Sequence, residues 1–158
     1  MSSFPYAPPA AAPRTSSFSL IKSLLALAVL VIAVLVMTVG RNLYRKYNIC
    51  RSAVVRFHQH MDHVEYEAIY NEATPDFRNA ATKDAELGVL RLVHDKMGTF
   101  EKMTPLGFHV NANIKGTFAN QVYETHFAMG TGQEQFVWRL ENNNALLVSY
   151  HVDSPNFK

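Results

Sequence analysis

Cysteine is nearly absent: Cys50 is the only one in 158 residues. No internal disulfide and no cysteine-based metal site can therefore hold the chain, and the fold has to stand on its own packing. Acid is missing from the N-terminal third, because all 13 Asp and Glu lie between Asp62 and Asp153. Charge is scarce overall, at 18% against roughly 25% in an ordinary soluble domain. There is no phosphate-cradling glycine loop, no Ser-His-Asp ordering and no pair of catalytic carboxylates. Gly130 and Gly132 stand between two strand-like segments and read as a hairpin.

What is present is apolar. The hydrophobic share of 48%, with 11% aromatic, excludes a wholly disordered or collagen-like chain. From Ser52 onward 9 Lys and Arg stand against 13 Asp and Glu, a balance of −4. Such a domain lacks the basic face that phosphate neutralisation needs, so nucleic acid is not its partner.

The apolar residues concentrate in Ser23–Gly40, eighteen residues without a charge. As a helix this run spans roughly 27 Å, close to the ~30 Å of a bilayer's hydrocarbon core. It has no polar face, unlike the core helix of a soluble protein, and it is longer than a signal-peptide apolar region. It ends Thr38-Val39-Gly40-Arg41, a poor cleavage site. Residues 20–40 are expected to cross the bilayer as an uncleaved single-pass anchor. Lys22 flanks one end, and Arg41, Tyr44, Arg45, Lys46 and Tyr47 supply an interfacial belt at the other. Residues 1–19, rich in Pro, Ala and Ser, read as a disordered tail, and 41–51 as a basic juxtamembrane linker. Cys50, just beyond the basic group, is either a plain thiol or a site of lipidation. Flanking charge favours a cytoplasmic C-terminal domain by a margin of one residue.

Beyond the anchor the periodicity is helical. Val54, Phe57, Met61 and Val64 recur at three- and four-residue steps, and Tyr66, Ile69, Tyr70 and Ala73 continue the pattern. Thr74-Pro75-Asp76 opens a short helix, and Thr82 caps another whose stripe is Leu87, Leu90, Val93 and Met97, closed by Gly98. After Gly98 the period shifts to two. Strands are expected over 118–128, 133–141 and 145–153, with a weaker one in 100–114, and 154–158 is left as a tail. Helices first and an antiparallel meander after them predict an α+β architecture, with helices packed on one face of a curved sheet.

The segments YEAIYNEATPDFRNAAT, DAELGVLRLVHDKMG, EQFVWRLE and ALLVSYHVD resemble bacterial domains of unknown function in the nuclear transport factor two-like superfamily. The resemblance covers about residues 52–153 and rests on apolar, turn and capping positions. It implies a cone of helices closed by a curved sheet (the cystatin-like, cone fold). That superfamily includes ketosteroid isomerase and scytalone dehydratase beside many non-catalytic binding and dimerising domains. Members with this helix pattern are often tethered outside the cytoplasm. The resemblance therefore favours an extracytoplasmic domain, against the charge count.

Three sets of residues are candidates for chemistry. His58, His60 and His63 sit in HQHMDH, but at ~100° per residue they point in different directions, so a solvated helix face is expected and no metal site. His58 and Asp62 are spaced to pair. On the strands, parity puts Tyr123, Thr125 and Phe127, then Phe136, Trp138 and Leu140, then Leu146, Val148, Tyr150 and Val152 on the core side. Glu124, His126, Arg139, Ser149 and His151 then share the outer face with Val122, Val137 and Leu147. Glu124, His126, Arg139 and His151 are the candidate interaction surface, for a second copy or a protein partner, and Arg139 and His151 should tolerate replacement by Ala. A β-bulge would reverse the parity of its strand. The third set lies inside the cone. Tyr66, Tyr70, Phe136, Trp138 and Tyr150 are expected to line a pocket, with Asp76 and His94 as the remaining helix-borne groups. The expectation is a non-enzymatic, cofactor-free binding or dimerisation module at a membrane; the rival is a small-molecule lyase, isomerase or hydrolase working in the pocket.

Overall fold

A computed structural model of the chain describes residues 17–158, with side chains from Lys22 onward. The expected disordered tail falls, up to residue 16, outside the described residues. The first helix, α1, runs Ser17–Asp62. The chain divides into two compact units, Met1–Arg41 and Asn42–Lys158. In the first, Leu24, Leu25, Leu30, Ile32 and Met37 are all more than half exposed to their surroundings. Among the described residues α1 is the one helix long and apolar enough to cross a membrane, a test that a signal sequence near the N-terminus also passes.

The second unit begins with the C-terminal part of α1. Residues 41–51, expected as a linker, are helical. No glycine or proline interrupts residues 41–62, and Cys50, Ala53, Val54, Phe57, His58 and Met61 form one buried stripe at three- and four-residue steps. Cys50 is fully buried, and burial pushes its thiol up to about 12. Acylation at that position is closed to the folded protein.

Helix α1 stops in a Schellman turn, with Glu65 N–H donating to His60 O and Val64 N–H to Met61 O. Val64, expected on the apolar stripe, is the left-handed residue of that turn (φ 61°) and is exposed. Asp62 does not pair with His58; its Oδ1 accepts the N–H of Phe100 at 2.9 Å. Three further helices follow: α2 (Tyr66–Glu72), α3 (Pro75–Arg78) and α4 (Lys83–Met97). Thr74 and Thr82 accept from Phe77 N–H and Ala85 N–H as N-caps, and Gly98 takes φ 77° after α4.

Strands β1 (Phe100–Asn113), β2 (Gly116–Phe127), β3 (Gly130–Glu141) and β4 (Asn144–Asp153) pair antiparallel in simple sequence order. The architecture is α+β, with the long helix ahead of a four-stranded antiparallel sheet. The inner face carries Ala119, Gln121, Tyr123, Thr125 and Phe127 of β2 and Glu134, Phe136 and Trp138 of β3, all buried. Phe57 of α1 packs on Phe136 and Tyr150 at centroid distances of 5.2 and 4.7 Å.

Strand β4 departs from the expected parity. Val137 pairs with Ser149 but Trp138 with Leu147, so Val148 is an extra, bulged residue. Tyr150 and Val152 keep to the core side, whereas before the bulge the parity inverts. Ala145 and Leu147 are buried, and Leu146 and Val148 are only half-buried. The last residues are not a free tail: Pro155–Phe157 form a 3-10 turn, and the Asn156 side chain donates to the carbonyls of Lys96 and Met129.

A β-branched residue in the left-handed region costs about 1–2 kcal/mol relative to glycine, and Val64 is 59% exposed, so little packing is lost with its side chain. Val64→Gly is expected to raise the unfolding free energy by up to about 1 kcal/mol, measured by denaturant titration of the purified full-length chain. A loss of stability would show that Val64 is held by packing rather than by the turn.

Candidate functional site

Alternation places Glu134 on the same side of β3 as Phe136 and Trp138, and pairing sets it between Tyr123 of β2 and Val152 of β4. Its carboxylate is fully buried. Thr125 Oγ1 donates to Oε2 at 2.5 Å and Tyr150 Oη to Oε1 at 2.7 Å. From α1, His58 brings Nε2 to 3.1 Å from Oε2, with 3% of its side chain exposed. That nitrogen makes no directed hydrogen bond, so the contact is one of proximity. The His58 ring is wedged by aromatics: it stacks on Phe100 at 4.2 Å and meets Phe127 and Phe136 edge-on.

A carboxylate taken out of water costs several kcal/mol unless its oxygens are satisfied. Here both oxygens have hydroxyl donors, and an imidazole lies beside one of them. Burial, followed by the Glu134 charge and the hydrogen bond to it, raises the Tyr150 phenol well above its ordinary range. Tyr150 is therefore a fixed donor, never a phenolate, at physiological pH.

A second buried chain crosses the inner face. Trp138 Nε1 donates to Gln121 Oε1 at 3.1 Å, and Gln121 Nε2 donates to Tyr123 Oη at 2.8 Å. Burial, and next the neighbouring Tyr47 phenol, raises the Tyr123 phenol.

A carboxylate, an imidazole and a phenol donor are the parts of an acid–base site. The carboxylate and the imidazole are themselves buried. Neither Glu134 nor His58 lines the small cavity under the helices or these clefts at the surface, whereas Tyr150 lines one cleft of about 170 Å³ together with Val89, Leu92 and Phe157. That cavity, between Phe57, Ile69, Trp138 and Leu147, measures about 20 Å³, room for about one water. The space where a pocket was expected is filled instead. Phe136 stacks on Trp138 at 5.6 Å and Tyr150 tilts against Phe136 at 5.1 Å.

Of the five residues expected to line a pocket, Phe136, Trp138 and Tyr150 meet in this stack. Tyr66 and Tyr70 turn their hydroxyls to the helices: Tyr66 Oη lies 2.9 Å from His94 Nδ1, and Tyr70 Oη donates to Arg78 O at 3.2 Å. Burial raises the Tyr66 phenol, with Asp95 adding to the shift. Of the residues expected on the outer face, Glu124 and His126 lie 3.4 Å apart and His151 is exposed. Arg139 is not freely solvated. It meets Asp76 of α3 at 2.6 Å and Glu141 at 3.6 Å, lies over the Phe118 ring, and keeps only 20% of its side chain exposed. Arg139 therefore joins α3 to the sheet, and its loss should cost about 1 kcal/mol.

The histidines separate. His58 is buried, correcting the expected solvated face, whereas His60 turns to Glu65 at 2.7 Å and to Glu72 at 3.6 Å. Among the described residues no three His, Cys, Asp or Glu side chains are grouped to hold an ion. Sequence reasoning missed His58 and Glu134, although a signal for each existed. His58 stands four residues after Val54 and three before Met61, and Glu134 has the parity of Phe136.

Comparison with protein-family models, curated proteins and solved structures finds no match to this chain. Function has to be argued from the geometry alone.

Removing the carboxylate strips Thr125, Tyr150 and His58 of a shared partner. Glu134→Ala is expected to destabilise the folded chain by about 3 kcal/mol. Glu134→Gln, which keeps shape and an acceptor oxygen, should cost less than half as much. Equal and small losses for both, by denaturant unfolding of the full-length protein, would show that the carboxylate is not a structural clamp.

Proposed function

We propose that the chain is a single-pass membrane protein, anchored through residues 20–40, whose C-terminal domain is a non-catalytic association module of the cone type found in the nuclear transport factor two-like superfamily. The observation that carries this reading is the sealed interior. Its carboxylate and imidazole are buried, and Glu134 is paired with Thr125 and with half-buried Tyr150 behind a stack of aromatic rings.

The outer face of the sheet is the surface left for work. Half-buried Val122, Val137, Leu146 and Val148 alternate there with Glu124, His126, Arg139 and His151. Aliphatic and charged side chains in alternation suit a partly polar interface in which charge pairs set the register. The partner is a second copy or another protein. The domain's side is the extracytoplasmic one, on the resemblance; a reporter fused to the C-terminus that is active only in the cytoplasm would overturn this assignment.

One observation favours a second reading. Glu134, His58 and Tyr150 together could serve a lyase, isomerase or hydrolase if the aromatic stack parted to admit a small substrate. A Glu134→Gln variant that kept its stability and lost a measured turnover would move the protein into that class.

Because Cys50 is buried, with its thiol pushed up to about 12, an introduced surface cysteine is the one reactive thiol at neutral pH. Gln135→Cys, on the outer face, is expected to give a discrete crosslinked species in native membranes with a bis-maleimide, either a dimer or a single partner adduct. Arg91→Cys, on exposed α4, should not. Equal yields from the two positions would sink the outer-face assignment.

A further inference from the structure

We infer that the domain carries a seat for the phosphate of an anionic phospholipid, built between the start of its α1 segment and the β3–β4 turn. The inference rests on the membrane-anchor reading above. A cleft of about 490 Å³ lies there, lined in part by Tyr44, Arg45, Asn48, Ser52, Arg56 and Asn143. Its polar lining holds two guanidinium groups, a phenol, a serine hydroxyl and asparagine amides, and no carboxylate. Every one of those groups can donate a hydrogen bond, which matches a phosphodiester's array of acceptor oxygens.

Of the two guanidinium groups, that of Arg45 is free of any carboxylate. None of the ion pairs among the described residues involves Arg45, Lys46 or Arg51, and Arg56 alone is engaged, with Glu72 at 3.1 Å. The cleft is also preorganised. Asn142 and Asn143 take left-handed φ values of 48° and 63° in a tight turn, and Asn143 Oδ1 accepts from Arg45 Nη2 at 2.9 Å. This bond holds the Arg45 side chain against the turn without neutralising it. On the other side of Arg45 lies a cleft of about 190 Å³ that does include a carboxylate, Glu141. Glu141 would repel an anion, so the acid-free side is the one assigned.

Chain position selects a lipid over a free phosphate as the occupant. Tyr44 is four residues past Gly40, the last residue of the uncharged run. Within helix α1 four residues rise about 6 Å, and the headgroup layer beyond each hydrocarbon face is roughly 5–8 Å deep. Tyrosine, with arginine next to it, is the residue pair enriched at that depth. A guanidinium without a carboxylate partner, that of Arg45, beside a second held by Glu72 favours an anionic headgroup over a zwitterionic one.

The test uses the full-length chain in nanodiscs of phosphatidylcholine with phosphatidylglycerol, read as lipid retained on the protein by native mass spectrometry. Wild type should retain phosphatidylglycerol above its share of the bilayer. Arg45→Gln, at an exposed position, should reduce the enrichment about fivefold. Lys102→Gln, the same charge change on β1, should leave it unaltered. Inorganic phosphate added in excess should not displace the lipid. Enrichment that survives Arg45→Gln, falls equally with Lys102→Gln, or yields to free phosphate overturns the headgroup seat while the anchor reading stands. Failure of the chain to enter nanodiscs at all, with release from membranes by alkaline carbonate, overturns the anchor reading and the seat with it.

Discussion

A carboxylate sealed between a helix and a sheet is the constraint around which the C-terminal domain is organised. Glu134 on β3 draws Thr125 from β2 and Tyr150 from β4 to its two oxygens, and His58 from α1 to its side. One buried charge thereby ties three adjacent strands to the helix that covers them. A dry ion has to keep all its partners at once, so the register of the strands and the rotation of α1 are specified together. The aromatic residues around it fill the remaining volume: Phe57, Phe136, Trp138 and Tyr150 share one stack, and His58 is held between Phe100 and Phe127.

That arrangement has a functional cost and a functional consequence. The volume beside the carboxylate holds aromatic rings. Two surfaces matter for the reading proposed above, the outer face of the sheet and the basic cleft beside the β3–β4 turn. The first suits a protein, because aliphatic and charged groups alternate on it. The second suits a phosphate, because it collects donors and excludes carboxylates. Even Arg139, which alternation puts on the outer face, is partly used internally, since its guanidinium bridges to Asp76 on α3.

Much of the fold was readable from local pattern. Thr74 and Thr82 cap the helices they were expected to cap, Gly98 follows α4, and all four strands occur. These features depend on a few neighbouring residues and on backbone chemistry that acts within one turn. The errors were of another kind. The bulge at Val148 exchanged Leu147 for Leu146 on the core side, and nothing within 145–153 marks it. It is a property of how β4 docks beside β3 while α3 closes on it, with Thr74 N–H and Oγ1 both bonded to Leu147 O. Residues 41–51 read as a linker because they are basic, yet a helix needs only the absence of breakers and one apolar stripe.

The amino-acid order alone established the uncharged run, the charge polarity along the chain, the single thiol and the succession of helices followed by strands. Each of these is a matter of composition or short period, which no later folding event can alter. The pairing of His58 with Glu134, the closure of the interior and the collection of Arg45, Arg56 and Asn143 around one cleft were settled in three dimensions. Residues 76 positions apart cannot announce that they will meet, because burial and charge compensation act through space and only the packed chain assigns them partners.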